Sequence, residues 1–153
     1  MLKREPSENF KAVRKSFIRA NSPIFTGMVN VVCAIIQKDG KFLACRRKQG
    51  KARGGKWEFP GGKVKEDESP EEAIERELHE ELSLDVKVDR MLGSVVHHYP
   101  DISIRLIAMK CFVNGGTISL TDHDEFRWIS LSKLKSVDFS EADCRIIDEI
   151  LLV

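Results

Sequence analysis

Apolar residues near the start of the chain follow a pattern that is typical of strands. Residues 28–37 are almost wholly apolar and rich in β-branched side chains, which predicts a buried strand. Asp39-Gly40 is typical of a tight hairpin turn, so residues 41–46 are expected to return as the partner strand.

Two further strands are predicted in the second half of the chain. Residues 85–96 and 102–113 flank a turn at residues 98–101, and the second segment alternates apolar and polar residues. Gly115-Gly116 is then expected to open a loop.

Two segments instead have helical spacing. Ser69 is a good N-cap, Pro70 suits the first helical position and Glu72 completes a capping box. This helix has an apolar stripe made by Ile74, Leu78 and Leu82. Residues 138–143 are expected to cap a terminal helix whose core-facing residues are Ile146, Ile147, Ile150 and Leu151.

Three acids share a face of the central helix. Glu77, Glu80 and Glu81 lie at positions i, i+3 and i+4, where like charges repel, and Arg76 is placed to pair with Glu80. A solvated acidic face explains such a cluster. Hard cations such as Mg²⁺ also prefer clustered carboxylates, and the glycines that precede the helix favour this second interpretation.

Length, charge and cysteine content limit which classes of protein the chain can belong to. The 153 residues fit one domain, predicted at residues 23–153, and the formal net charge of +1 gives no case for duplex nucleic acid or an anionic membrane. Residues 1–22 are expected to form a basic arm or a short helix, and no apolar run is long enough for a membrane span. The four cysteines are scattered, which indicates buried thiols and favours a cytoplasmic location.

A basic segment precedes the glycines. Residues 46–56 contain six basic residues and no acid. They form either a solvated charged loop or a mobile flap that binds phosphates.

The stretch around the acidic helix resembles the Nudix box. The residues that carry the resemblance are Gly62, Glu68, Arg76-Glu77-Leu78 and Glu80-Glu81, and the lead-in at residues 57–62 is similar to that of the MutT-type branch. One position departs, since Ser83 replaces the glycine that usually ends the helix; a left-handed cap is still expected there.

This resemblance implies a fold and a reaction. The expected fold is an α/β sandwich, with a mixed sheet between the box helix and the C-terminal helix. The implied reaction is the hydrolysis of a nucleoside triphosphate to a monophosphate and pyrophosphate, dependent on Mg²⁺ or Mn²⁺. The expected assembly is a monomer or a homodimer.

The resemblance also implies roles for individual residues. The expected metal-binding groups are the Gly61 carbonyl, Glu77, Glu80, Glu81 and a loop carboxylate, either Asp122 or Glu125. Glu77 is the first choice for the general base, with Glu68 supporting it and Arg76 orienting the carboxylates. The expected substrate-binding residues are Arg46 or Arg47 for a phosphate, Lys63, and Asp143 for the base, although Asp143 also fits an ordinary first-turn helix acid.

The identity of the nucleotide stays open at this point. A carboxylate at Asp143 favours cytidine nucleotides, because an ionised carboxylate only accepts hydrogen bonds and cytosine has an amino group. The alternatives are an 8-oxo-dGTP diphosphatase of the MutT type, an RNA 5′ pyrophosphohydrolase and an inactive nucleotide-binding module.

Overall fold

A seven-stranded sheet is the centre of the part of the chain that the computed structural model describes, residues 28–153. The predicted arm at residues 1–22 lies outside the described residues. The strands are β1 (Met28–Lys38), β2 (Lys41–Arg47), β3 (Trp57–Glu58), β4 (Gly61–Lys63), β5 (Leu84–His98), β6 (Ser103–Gly116) and β7 (His123–Ser130). The helices are α1 (Pro70–Leu82), a 3₁₀ helix (Leu131–Ser136) and α2 (Glu141–Ile146), which continues as a π-helical turn (Ile147–Leu151).

The sheet is mixed, as predicted. β1 runs parallel to β6 and antiparallel to β2 and β4, while β5 and β6 form a long antiparallel pair. The predicted turn between β1 and β2 is confirmed, since Asp39 and Gly40 have φ angles of 51° and 73°. Both angles lie in the left-handed region that a tight hairpin turn of this kind requires.

Side chains of β1 alternate between two hydrophobic cores. Val32, Ala34 and Ile36 belong to the core that contains the buried residues of α1. Cys33 and Ile35 belong to the core that contains Ile146 and Ile147 at the C-terminal helix. Because successive strand residues point to opposite faces, a wholly apolar strand implies that both faces of the sheet are covered. The predicted α/β sandwich is therefore confirmed.

Both ends of α1 are capped. The Ser69 hydroxyl accepts a hydrogen bond from the Glu72 amide at 3.1 Å, as the capping box predicts. At the other end Ser83 has φ 56° and ψ 30°, and its amide donates to the carbonyls of His79 and Leu78. Ser83 thus makes the left-handed cap that glycine usually makes, at the steric cost of a Cβ.

The end of β6 differs from the prediction. Gly115 and Gly116 were expected to open a loop, but they pair with Asp85 and Leu84 and extend the strand. A Cβ at Gly116 would lie 2.2 Å from the Ser83 carbonyl oxygen, and the residue has a φ of 93°. Gly116 therefore allows close contact between this strand and the end of α1. In the described residues, no helix is long and apolar enough to cross a membrane.

Replacing Ser83 by glycine should stabilise the protein. The substitution relieves a left-handed non-glycine residue, and after the entropic cost of glycine in the unfolded chain we expect a gain of about 0.5–1 kcal/mol. Urea unfolding measures the change, with Ser83→Ala as the matched control because alanine keeps the Cβ. Equal stability of the two variants would show that the cap is not strained.

Candidate active site

The glycines before α1 bring the loop into contact with both the sheet and the acidic helix. A Cβ at Gly61 would lie 1.8 Å from the Val32 carbonyl oxygen. A Cβ at Gly62 would lie 2.3 Å from the carboxyl carbon of Glu77. The absence of side chains therefore lets the loop fit between β1 and Glu77.

Arg76 connects the acids of this region through one guanidinium. Nε and Nη2 donate to the two carboxylate oxygens of Glu68 at 2.9 and 2.5 Å. Nη1 donates to Glu77 at 2.9 Å and to Glu80 at 3.2 Å, which confirms the predicted pairing with Glu80. Nη2 also donates to the Lys63 carbonyl at 3.0 Å.

The charges of this network stabilise one another. The hydrogen bond from Arg76 lowers the pKa of Glu68, and the bond to Glu68 raises the pKa of Arg76. A guanidinium provides five donors in a fixed plane, so it can satisfy several carboxylates at once. Arg76 thereby offsets the repulsion that clustered acids create on one helix face.

Glu81 lies in the most acidic part of the site. Burial, and to a lesser extent the neighbouring acids Glu77, Asp122 and Glu58, together raise the pKa of its carboxyl to about 9. Asp122 itself is paired with Lys51 at 3.0 Å, and this hydrogen bond lowers the pKa of Asp122. Asp122 is thus the loop acid beside Glu81.

Glu125, the other candidate for the loop carboxylate, has different partners. It pairs with Arg46 at 3.3 Å and with Arg127 at 2.7 Å. These contacts favour Asp122 over Glu125 as the acid that completes the cluster.

The donor chemistry of this cluster fits a hard divalent cation. Glu77, Glu81 and Asp122 offer only oxygen acceptors when ionised, and their mutual repulsion at Glu81 is what a bound cation would relieve. Within residues 28–153, no three His, Cys, Asp or Glu side chains are already grouped as a ready metal site. Glu77 and Glu80 are instead held by Arg76.

A cleft of about 150 Å³ lies beside the glycine loop. It brings together four of the predicted site residues, namely Arg47, Gly61, Lys63 and Asp143. The rest of its lining is largely apolar or aromatic and includes Phe59, Tyr99, Ile104 and Leu106. A cleft with apolar walls and a few polar groups is typical of a small-molecule site.

The two predicted phosphate-binding arginines point to different places. Arg46 donates to Asp124 at 2.7 Å and lies over the Trp57 ring, outside the residues that line the cleft. Arg47 lines the cleft, where Nη1 donates to Glu58 at 3.1 Å and Nε to the Ala52 carbonyl at 2.8 Å. Adjacent strand residues face opposite sides, so only one of the pair reaches the cleft.

Asp143 is buried rather than solvated at the start of α2. It accepts hydrogen bonds from the Phe59 amide at 2.9 Å and from the Ser140 hydroxyl. Burial raises its pKa to about 7, with Glu58 adding to the effect and the two hydrogen bonds opposing it. With its pKa raised by burial, a carboxyl group in the cleft wall takes up a proton more readily than an exposed aspartate.

Several residues at the cleft or directly behind it were not identified from the sequence. Glu58 and Arg53 line it, and Arg53 lies 4.3 Å above the ring of Tyr99. His123 is buried and bonded to Glu58. Glu58 could have been identified from the sequence, because it is an acid between two aromatic residues just before the glycines. Arg53 and His123 could not, because their contacts join distant parts of the chain.

Comparisons with known proteins agree on one family. Residues 27–149 match the NUDIX domain. The chain is 33% identical over 127 residues to the CTP pyrophosphohydrolase of Escherichia coli (strain K12), covering 81% of this chain and 92% of the relative. It is 31% identical over 121 residues to the 8-oxo-dGTP diphosphatase of Buchnera aphidicola subsp. Schizaphis graminum, covering 79% and 92% of the two chains.

A solved structure supports the same assignment. The crystal structure of the MutT protein from Methanosarcina mazei Go1 superimposes with a TM-score of 0.72 at 30% identity. The match covers 80% of this chain and 91% of the other.

Replacing Glu81 by glutamine should remove the stabilising effect of Mg²⁺. A cation that binds only the folded state raises stability, by about 2.7 kcal/mol at a hundred times its Kd. Glutamine keeps the size of Glu81 but removes its charge, so this variant should fold and show no rise in Tm with added MgCl₂.

The matched control is Glu75→Gln, the same change on the same helix beside Cys111. It should keep the wild-type response of Tm to MgCl₂. A Glu81→Gln variant that Mg²⁺ stabilises as strongly as wild type contradicts the assignment of the site.

Proposed function

Since the chain belongs to the Nudix family of nucleotide pyrophosphohydrolases, we propose that it hydrolyses a cytidine triphosphate to the monophosphate and pyrophosphate. The observation that carries this proposal is the buried Asp143 carboxyl in the wall of the cleft beside the glycine loop. The proposed substrates are CTP, dCTP and 5-substituted cytidine nucleotides.

The acidic helix supports the hydrolytic step. Mg²⁺ or Mn²⁺, held by Glu77, Glu80, Glu81, Asp122 and the Gly61 carbonyl, would neutralise phosphate charge and activate water. Glu77 is the proposed general base, because its carboxylate lies between the glycine loop and Arg76. Arg76 and Glu68 hold that carboxylate in place and have no proposed contact with substrate.

Basic residues at the cleft support binding of the phosphates. Arg47 lines the cleft between the Ala52 carbonyl and Glu58, and Lys63 lines it next to the glycines. A guanidinium matches the geometry of phosphate oxygens, and an ammonium serves as a point charge. Arg46 is engaged by Asp124 and Glu125 and contributes less to this proposal.

Asp143 supports a choice of base. An ionised carboxylate accepts from the exocyclic amino group of cytosine. The Phe59 amide and the Ser140 hydroxyl use part of the accepting capacity of Asp143, and the carboxylate retains further lone pairs for a ligand. The apolar residues Ile104 and Leu106 line the same cleft and offer contacts to a planar ring.

An 8-oxo-dGTP diphosphatase is the second candidate. The raised pKa of Asp143, about 7, supports it, because a protonated carboxyl can donate to a carbonyl of an oxidised purine. A relative with that name aligns at an identity close to that of the CTP pyrophosphohydrolase. The two candidates differ in which protonation state of Asp143 binds the base.

Arg47→Ala should raise KM about tenfold, whereas Arg46→Ala should change it less than twofold. The first variant removes a charged hydrogen bond to phosphate, and the second removes a surface ion pair that is worth little. The comparison uses adjacent residues of one strand and the same substitution. Steady-state kinetics with the preferred nucleotide test it, and equal KM values in the two variants would contradict the phosphate role of Arg47.

Asp143→Asn should change the ranking of nucleotides. Values of kcat/KM for CTP, dCTP, 5-methyl-dCTP, dGTP and 8-oxo-dGTP are measured for both proteins. The wild type should prefer cytidine nucleotides, and the variant should lose about 1–3 kcal/mol of that discrimination, roughly five- to 150-fold.

The same panel separates the two candidate functions. A wild-type preference for 8-oxo-dGTP supports the second candidate and excludes the first. A ranking that Asp143→Asn leaves unaltered removes Asp143 from base recognition in both.

A further inference from the structure

His123 is a buried histidine at the start of β7, next to the candidate metal-binding residue Asp122. Its side chain is 1% exposed, and Nε2 lies 2.9 Å from Oε1 of Glu58. Glu58 precedes the glycine loop in the chain and lines the cleft. The contact therefore joins β7 to the strand that leads into the candidate active site.

The surroundings of the ring select one tautomer. Among residues 28–153, Nδ1 of His123 is the buried side-chain atom without a hydrogen-bond partner in the protein. A proton on Nδ1 would leave a buried donor unsatisfied, whereas a proton on Nε2 is donated to the Glu58 carboxylate. The neutral ring with its proton on Nε2 satisfies this geometry.

One oxygen of Glu58 receives two donors. Nη1 of Arg47 lies 3.1 Å from the same Oε1 that His123 contacts. A neutral histidine satisfies part of the accepting capacity of that oxygen without adding a charge. The hydrogen bond from His123 thus fixes the Glu58 carboxylate while Arg47 keeps its positive charge at the cleft wall.

We propose that His123 is a positioning residue for substrate binding. Its hydrogen bond to Glu58 keeps the guanidinium of Arg47 placed for the phosphates of the nucleotide. This inference rests on the proposed function, in which Arg47 contacts phosphate. His123 does not line the cleft, and the proposal gives it no contact with substrate. Without its hydrogen bond, the Glu58 carboxylate turns to Arg47 alone and draws that charge away from the phosphates.

The test compares two substitutions of the same residue. His123→Gln keeps a donor at the position of Nε2, and His123→Leu fills a similar volume without one. His123→Leu should raise KM about tenfold with kcat within twofold, as expected for one lost hydrogen bond to a charged group. His123→Gln should keep KM within about twofold of wild type, because its amide replaces the lost donor.

A double-mutant cycle shows whether His123 acts through Arg47. In the Arg47→Ala background, adding His123→Leu should leave KM unchanged, because the group that it positions is already absent. An additive rise in KM overturns the proposal, and so does an equal effect of leucine and glutamine at position 123.

The wild-type protein provides a measurement that needs no variant to fold. Nitrogen-15 NMR of the His123 ring should show a proton on Nε2 and none on Nδ1, and the reverse pattern overturns the proposal. An active wild-type enzyme with an unchanged KM in His123→Leu refutes the positioning role alone. A wild type that hydrolyses no nucleotide refutes the proposed function, whatever the tautomer.

Discussion

The guanidinium of Arg76 is the interaction on which the candidate active site depends. It bonds Glu68 and the Lys63 carbonyl in the loop and Glu77 and Glu80 in the helix. Three acids on one helix face repel one another, and without a cation between them the face would destabilise the helix that presents it. Because one planar guanidinium bonds to both the loop and the helix, the carboxylates stay close to the glycines.

Strand β1 provides the wall to which both halves of the site are attached. Its alternate residues enter the core under α1 and the core under the C-terminal helix. Gly61 and Gly62 pair with Cys33 and Val32 on this strand, so the loop cannot move away from it. The acidic helix and the cleft that contains Asp143 are therefore both anchored to strand β1.

Local patterns in the sequence predicted the parts of this arrangement that local physics determines. The turn at Asp39-Gly40, the cap at Ser69 and the shared face of Glu77 and Glu81 all follow from residues within one or two turns of each other. Contacts between residues that are far apart in the sequence could not be predicted from these local patterns. The bond from His123 to Glu58 spans 65 residues, and that from Phe59 to Asp143 spans 84. Strand alternation predicts that Arg46 and Arg47 face opposite sides, but only the sheet pairing shows which of them faces the cleft.

The proposed function requires that this acidic face, once it holds a divalent cation, supports the splitting of a nucleoside triphosphate into monophosphate and pyrophosphate. Release of pyrophosphate from a panel of nucleoside triphosphates, measured in MgCl₂ and again with excess EDTA, tests it most directly. We expect equal amounts of monophosphate and pyrophosphate in Mg²⁺, formed most rapidly from cytidine nucleotides, and no release in EDTA. Release that persists in EDTA, or inorganic phosphate as the first product, would contradict it.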